Sequence, residues 1–447
     1  MIDLSIEDKE KQEQYMEYLR KVRSLHTELL ECLNYDEMRS LDSDDEAKRE
    51  FLEKEIKKLL KKTKTPDVSP DDAELVQAII DEMLGFGPLE ILLRDAGVTD
   101  IFVNAPDRIF VESKGRVRRT WVRFVDNEHI YRLVQRVASQ SGRHLDLGTP
   151  YLDSSLADGS RLHAIIPPLA ADGIKVSVRK FLFKKLSIDS IVEGGSLTEG
   201  MAKLLKIAVK SRFNIVICGG TGSGKTTLLN SLLDSIRDGE RVITIEDTPE
   251  LEPTHGHIVR LITRAPNPEG KGGVGQDTLM INALRMRPDR VVLGELRGAE
   301  AFNLLHAMNT GQDGSMVTLH ASGTEEVLAR LLNMILMAKY SLSVESVRQQ
   351  IAGALDLVIH VARLVDGSRR VMSIAQISRD KNDEMKVDML FRFNVEKISE
   401  KEMKGHFKQY QPTVSSRMRD KLVNAGLYEE YLDIFPDKEK VRYPEEL

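Results

Sequence analysis

From about residue 186 onward, short, mostly apolar runs alternate with longer stretches whose apolar positions recur every three to four residues. The runs are Asn214–Cys218, Arg241–Ile245, Arg290–Leu293, Met316–Leu319 and Leu357–Val361. Apolar runs this short predict buried strands, and their alternation with helices predicts a doubly wound, mainly parallel sheet. In the first helical stretch Leu228, Leu229, Leu232, Leu233 and Ile236 share one face, with Asp238-Gly239 expected to close it.

Before residue 186 the pattern is α+β. Asp100–Asn104 reads as a strand, and Arg108–Glu112 passes through Lys114-Gly115 into Val117–Phe124 as a hairpin. A helix is expected over Ile130–Ser139, and strands Arg161–Ile166 and Ile174–Phe181 flank the Pro167-Pro168 break. Trp121 is expected in the core. Residues 1–66 are rich in Glu, Lys and Leu, with an acidic block at Asp42–Glu46 and a basic stretch at Lys57–Lys62. Their leucines suit amphipathic helices but are too sparse for an independent core, so a solvated helical extension is expected. Thr65–Pro70 reads as a linker. Ser69 is expected to cap the next helix, with Pro70 first, Asp71 and Asp72 in the first turn, and Gly85 past the end. The last sixty or so residues are charged, with short strands and a helix near Ser416–Ala425, and read as an appended subdomain. The expected divisions are 1–68 (extension and linker), 69–185 (α+β domain) and 186–447 (α/β domain with that appendage).

Composition narrows the function classes. A chain of 447 residues is too long for one core. A net charge of −6 argues against a general nucleic-acid binder, which carries a basic face. Two cysteines, Cys32 and Cys218, with no CxxC pair predict neither a disulfide framework nor a structural zinc site. The opening Met1–Glu10 lacks a basic and then apolar stretch, and no run approaches the length of a membrane span, so neither a signal peptide nor a span is expected.

The chemistry concentrates in Cys218–Thr227. Gly219, Gly220, Thr221, Gly222, Ser223, Gly224, Lys225, Thr226 and Thr227 form a complete phosphate-binding loop between a predicted strand and a predicted helix. Glycines let backbone N–H groups converge on a phosphate, and the helix N-terminus adds positive potential. Lys225 is placed for the β/γ-phosphates and the Thr226 hydroxyl for Mg²⁺. A nucleoside triphosphate is therefore the expected ligand, with Mg²⁺. Downstream, Arg290–Glu295 is an apolar strand ending in a carboxylate, and Glu295 can polarise water beside the phosphates. Gly294 stands where a metal-associated Asp is common, so Glu246 and Asp247, closing Arg241–Asp247, are expected on the metal side. His320 ends a further strand, where it could sense the terminal phosphate, and Arg285, Arg287 and Arg297 bracket Glu295. Lys271–Gln276 imitates a phosphate loop but lacks the Lys-Thr pair, and is expected to be a mobile loop.

In that order, the phosphate loop, Thr244–Glu250, Leu284–Asp289, Gly294–Arg297 and Thr318–His320 resemble the motifs of secretion and pilus-assembly ATPases, the hexameric motors of type II secretion, type IV pili and type IV secretion. Within that group, Leu84–Glu90, Val98–Asn104, Leu156–Arg161, Ile165–Leu169 and Ser177–Phe181 are most similar to the CpaF-like branch that drives Tad/Flp pili. The likeness spans about residues 70–395. It implies a PAS-like N-terminal domain and a RecA-like ATPase domain, with ATP between them and domain motion as the power stroke. It also implies Glu295 as general base, Glu246 and Asp247 on the Mg²⁺-water side, and Arg161 and Arg179 as arginines that close on the nucleotide. Gln312 departs from the family's usual histidine, and the tetracysteine motif of zinc-bearing relatives is missing.

The resulting expectation is a cytoplasmic homo-hexameric ATPase, held at the inner membrane by platform proteins and powering pilus assembly or secretion. The alternatives are a DNA-translocating motor, which the acidic balance disfavours, and a nucleotide-gated scaffold with little turnover, which Glu295 disfavours.

Overall fold

The computed structural model describes residues 9–41, 45–62, 69, 71–113, 115–156, 158–180, 186–264, 266, 270–338, 342–379, 384–398, 403–412 and 414–435. Asp42–Asp44, most of the 65–70 linker including Pro70, Lys114 and Phe181 lie outside them. The chain divides into two compact units, residues 1–182 and 183–447.

In the first unit, α1 (Lys9–Cys32), α2 (Tyr35–Ser40), α3 (Asp45–Lys62) and α4 (Ala73–Met83) precede α5 (Glu90–Arg94). Val22, Leu25, Leu29 and Leu33 of the first helix and its exit face Leu52, Ile56 and Leu60 of α3 and Leu75, Val76, Ile79 and Ile80 of α4, all buried. The leucines of the extension thus do enter a core, because α4 supplies its third wall. A solvated extension was the wrong expectation for that apolar stripe. Asp72, not Ser69, caps α4: its carboxylate accepts the Leu75 N–H at 3.0 Å, while the Ser69 hydroxyl accepts from Asp71 N–H in the turn before.

The rest of the unit is a sheet of β1 (Val98–Ala105), β2 (Arg108–Ser113), β3 (Arg116–Arg119), β4 (Tyr151–Ser155), β5 (Arg161–Ile165) and β6 (Lys175–Arg179), with α6 (Asn127–Gln140) between β3 and β4. Its order is β3-β2-β1-β6-β5-β4, antiparallel throughout. The second limb of the expected hairpin is only β3. The chain leaves the sheet at Thr120 and buries Val122 and Phe124 without strand pairing. Trp121 packs as expected, against the sheet core and edge-on to the Tyr15 ring of α1 at 4.8 Å.

The second unit runs α7 (Ile188–Glu193), α8 (Glu199–Lys210), β7 (Ile215–Cys218), α9 (Lys225–Leu233), β8 (Val242–Glu246), β9 (Ile258–Ile262), α10 (Gln276–Arg285), β10 (Arg290–Leu296), α11 (Glu300–Asn309), β11 (Met316–Leu319), α12 (Thr324–Met337) and α13 (Val344–Ala354). It ends in β12 (Leu357–Arg363), β13 (Arg369–Arg379), β14 (Met385–Ile398), β15 (Met403–Gln409), α14 (Ser416–Ala425) and α15 (Tyr428–Leu432). One sheet holds the order β15-β14-β13-β12-β7-β11-β10-β8-β9. From β12 to β9 every pairing is parallel; from β12 to β15 every pairing is antiparallel. The α/β, RecA-like reading of this unit holds. Helices cover both faces of the parallel part, as buried residues on both sides require.

Two sequence expectations fail here. The first helix stops at Leu233, and Gly239 belongs to the turn that leads into β8. The C-terminal strands are not short: β14 has 14 residues and prolongs the same sheet. Asp356 accepts from the Asn214 N–H at 2.7 Å, from Lys421 at 2.8 Å and pairs with Arg417 at 2.9 Å, which ties α14 to the start of β7. Met418, Leu422, Tyr431 and Phe435 share one core with β7 and α9.

Candidate nucleotide site

The sheet order decides which strand ends meet. Strand β7 delivers the glycine loop, β11 lies beside it, and β10 and β8 follow on that side. All four run parallel, so the loop, His320, Glu295 and Glu246-Asp247 emerge at one edge, where open α/β sheets bind ligands.

The loop is built by close approach. A Cβ on Gly219 would lie 2.2 Å from the Val361 carbonyl oxygen of β12, so only glycine fits. Gly220, Thr221 and Gly222 face solvent, while Ser223 and Lys225 are buried and Thr226 and Thr227 partly so. Lys225 begins α9, and its ammonium donates to the Gly219 and Gly220 carbonyls at 3.0 and 2.9 Å. The amine thus sits over the cradle, donating to the loop's own oxygens.

Across from the loop, Glu295 lies within β10 rather than after it. Register with β11 shifts between Leu293 and Leu296, and the Thr318 hydroxyl of β11 donates to the Gly294 carbonyl. Such an irregularity re-aims a side chain. One Glu295 oxygen meets His320 Nε2 at 2.8 Å; the other meets Arg297 Nη2 at 2.6 Å. A carboxylate only accepts, so Nε2 carries the proton. Burial, with Lys225 nearby, lowers the His320 pKa below its usual value and favours the neutral ring. Arg297 also reaches Asp247 at 3.0 Å, joining the ends of β8 and β10. Its own pKa is raised, chiefly by the hydrogen bond to Glu295.

Glu246 and Asp247 are adjacent but differently held. Glu246 is 2% exposed, and one oxygen accepts the Glu250 and Leu251 N–H groups at 2.8 Å each. Its other oxygen is buried with no hydrogen-bond partner among the described residues. Burial pushes its pKa up to about 7. Asp247 accepts from Thr263 and Gln276 at 3.0 Å. A Cβ on Gly294 would sit 3.2 Å from Glu246 Cγ, a tight contact, so the Glu246 side chain lies over that position. No group of three or more His, Cys, Asp or Glu side chains able to hold a metal occurs among the described residues, but the two carboxylates, one with an unpartnered buried oxygen, are the donor type that a hard cation such as Mg²⁺ takes.

Of the remaining expected residues, Arg285 and Arg287 are exposed. The second glycine run leads into α10, whose first residue Gln276 donates to Asp247. Arg161 and Arg179 belong to the first unit, opposite one another on β5 and β6, and Arg179 pairs with Asp100 at 3.1 Å. Sequence reasoning missed two arginines. Arg369 donates to the Gly222 carbonyl at 2.9 Å, and Arg363 pairs in register with it across the β12–β13 hairpin. The Asp366-Gly367 turn signal between them was legible and would have located that hairpin.

A family model described as "Type II/IV secretion system protein" matches residues 82–431. The chain belongs to that family. Among its relatives is "Putative conjugal transfer protein MT3759" of Mycobacterium tuberculosis (strain CDC 1551 / Oshkosh), 40% identical over 300 residues, covering 66% of this chain and 85% of that one. "Type IV secretion system protein VirB11" of Brucella suis biovar 1 (strain 1330) is 31% identical over 336 residues, with 68% and 92% covered. The solved VirB11 ATPase from the Brucella suis type IV secretion system, in complex with sulphate, aligns at 30% identity over 66% of this chain and 96% of that one, with a TM-score of 0.35. No helix of the family member in hand is, among its described residues, long and apolar enough to cross a membrane.

Proposed function

We propose that this protein is an ATPase that drives secretion or pilus assembly by hydrolysing Mg²⁺-ATP at the edge of the parallel sheet. The observation that carries the reading is Glu295, aimed by an irregular strand and held between His320 and Arg297 on the side of the sheet that follows the glycine loop. Lys225 turns from the loop carbonyls to the β/γ-phosphates. The water oxygen bonds to the terminal phosphorus as the bond to ADP breaks, and the water proton passes to Glu295. His320 keeps the carboxylate oriented by donating from Nε2. Thr226, Glu246 and Asp247 would hold the Mg²⁺ that accompanies ATP, directly or through water, and the ion would neutralise phosphate charge. Phosphate release from the wild-type chain and from Glu295→Gln tests this: turnover confined to the wild type supports it, and equal rates refute it.

The motif likeness to CpaF-like motors supports a homo-hexamer working with inner-membrane platform proteins of a Tad-type pilus, from the cytoplasmic side. Light scattering with nucleotide that finds only monomer at micromolar concentration would refute the ring. The names of relatives in conjugal transfer keep a DNA-translocating motor as second reading; stimulation of turnover by DNA would favour it. Arg161 and Arg179 are proposed to bind phosphate oxygens, as the family likeness implies: they lie opposite one another on β5 and β6, where two guanidinium groups can share one anion, Arg179 exchanging Asp100 for it. Replacing either by Ala should depress turnover far more than stability, because exposed ion pairs are worth only about 0–1 kcal/mol. Unchanged turnover in both variants removes that role.

A further inference from the structure

The phosphate loop has a second wall, on the side away from Glu295. Strand β12 neighbours β7 opposite β11, and the β12–β13 hairpin brings Val361, Arg363 and Arg369 to the loop. The contact is close along its length. Gly219 has no room for a Cβ beneath the Val361 carbonyl. A Cβ on Gly222 would lie 3.7 Å from Arg363 Nη1, and one on Gly224 would lie 3.4 Å from Arg369 Cδ. Arg369 Nε donates to the Gly222 carbonyl at 2.9 Å. The hairpin itself is locked by its turn, in which the Leu364 N–H donates to the Ser368 carbonyl, the Gly367 N–H donates to the Leu364 carbonyl, and Asp366 accepts from the Ser368 N–H and hydroxyl.

We propose that Arg369 is a positioning residue of the nucleotide site, and that the hairpin it shares with Arg363 sets the affinity of the glycine loop for the nucleotide's phosphates. The inference rests on the reading that this loop binds a nucleoside phosphate. Peptide planarity supplies the mechanism. Holding the Gly222 carbonyl fixes the direction of the Ser223 N–H across the same peptide plane; that amide donates to the Gly220 carbonyl at a long 3.4 Å, a bond a phosphate oxygen would replace. An exposed loop without that bond has to order itself on binding, and preorganisation removes the cost. Arg363 adds positive charge beside Gly222, an effect that salt screens. The catalytic carboxylate lies on the opposite side of β7, so the hairpin acts on binding more than on chemistry.

The test is calorimetric titration of the full-length protein with Mg²⁺-ADP, which is not consumed, beside ATP turnover and thermal melting without nucleotide. Arg369→Ala should weaken ADP binding about tenfold and raise KM by a similar factor, with a much smaller change in kcat. Arg369→Lys, which keeps charge and donor, should recover most of the loss. Arg363→Ala should weaken binding about threefold at low salt and less at high salt. Wild-type affinity in Arg369→Ala, while Lys225→Ala has lost binding, overturns the proposal alone. So does a loss that comes with a lowered Tm and that Lys fails to recover. Wild-type affinity in Lys225→Ala as well overturns the nucleotide reading beneath it.

Discussion

Glu246 and Glu295 begin as equals: each closes an apolar run of the same parallel sheet, at the same edge, beside the same loop. Their surroundings separate them. Glu246 is buried, spends one oxygen on two backbone N–H groups, and carries a pKa raised to about 7. Glu295 is partly exposed and, among the described residues, is held by two side chains, His320 and Arg297. Backbone donors fix a carboxylate as part of a turn, whereas side-chain partners can swing away when a ligand arrives. Position in sequence nominates a candidate carboxylate; the identity of its hydrogen-bond donors tells whether it is free to act as a base.

The sharpest way to break that contrast is to neutralise each carboxylate at constant shape. Glu295→Gln should keep ATP binding while hydrolysis falls about 10²–10⁴-fold, as expected for loss of a general base. If phosphate release instead continues at the wild-type rate, Glu246 takes over as candidate base, and the distinction drawn from its donors is wrong.

Lys225→Ala probes the loop that both carboxylates flank. The amine contacts phosphate in ground and transition states alike, so binding and turnover should fall together, each by about 10–10²-fold, the worth of one charged hydrogen bond. A variant that binds ATP normally but turns over slowly would show that the ammonium acts only on the transition state.

Glu246→Ala gives a smaller effect of a different kind. It removes the acceptor for Glu250 and Leu251 N–H, and burying unsatisfied donors costs about 1–3 kcal/mol. Denaturant unfolding should register that loss, and Glu246→Gln, which keeps the accepting oxygen, should not. Equal stability of all three would mean that the turn from β8 does not depend on this side chain.

How much of this was legible in the sequence follows the range of the forces involved. The glycine loop, its strand and the five apolar runs were readable because local geometry and wholly buried strands leave compositional marks. The carboxylates were nominated as a group by their places at strand ends, and the parallel order of β8, β10 and β11 brings those ends to one edge. What stayed hidden depends on partners far along the chain: Arg297 linking Asp247 to Glu295, Gln276 reaching back to Asp247, Arg369 reaching Gly222. The burial of α1 and α3 was missed for the same reason, since the wall they pack on, α4, was assigned to another region. Ser69 was preferred to Asp72 as a cap because both residue types cap well, and only backbone geometry chooses between them.

The smallest expected effect is a pH dependence that belongs to Glu246 alone. Burial is the cause that lifts its pKa to about 7, against the pull of the Leu251 and Glu250 N–H groups and Arg260. In the unfolded chain such a carboxyl titrates near about 4.3. Between those values the folded state holds a proton that the unfolded state has released. The group's contribution to stability is therefore complete below the unfolded value and is lost as pH rises through the folded one. Glu246→Gln cannot titrate, so its Tm relative to wild type should climb between pH 5 and 8, by about 2–4 °C for each kcal/mol involved in a unit of this size. Any fixed cost of the amide shifts the whole comparison without tilting it, so the slope is the readout. A difference in Tm that stays level across that range would show that Glu246 ionises as it does in water. Mg²⁺ with ADP should flatten the wild-type slope, because a cation beside the buried oxygen offsets the desolvation that raised its pKa.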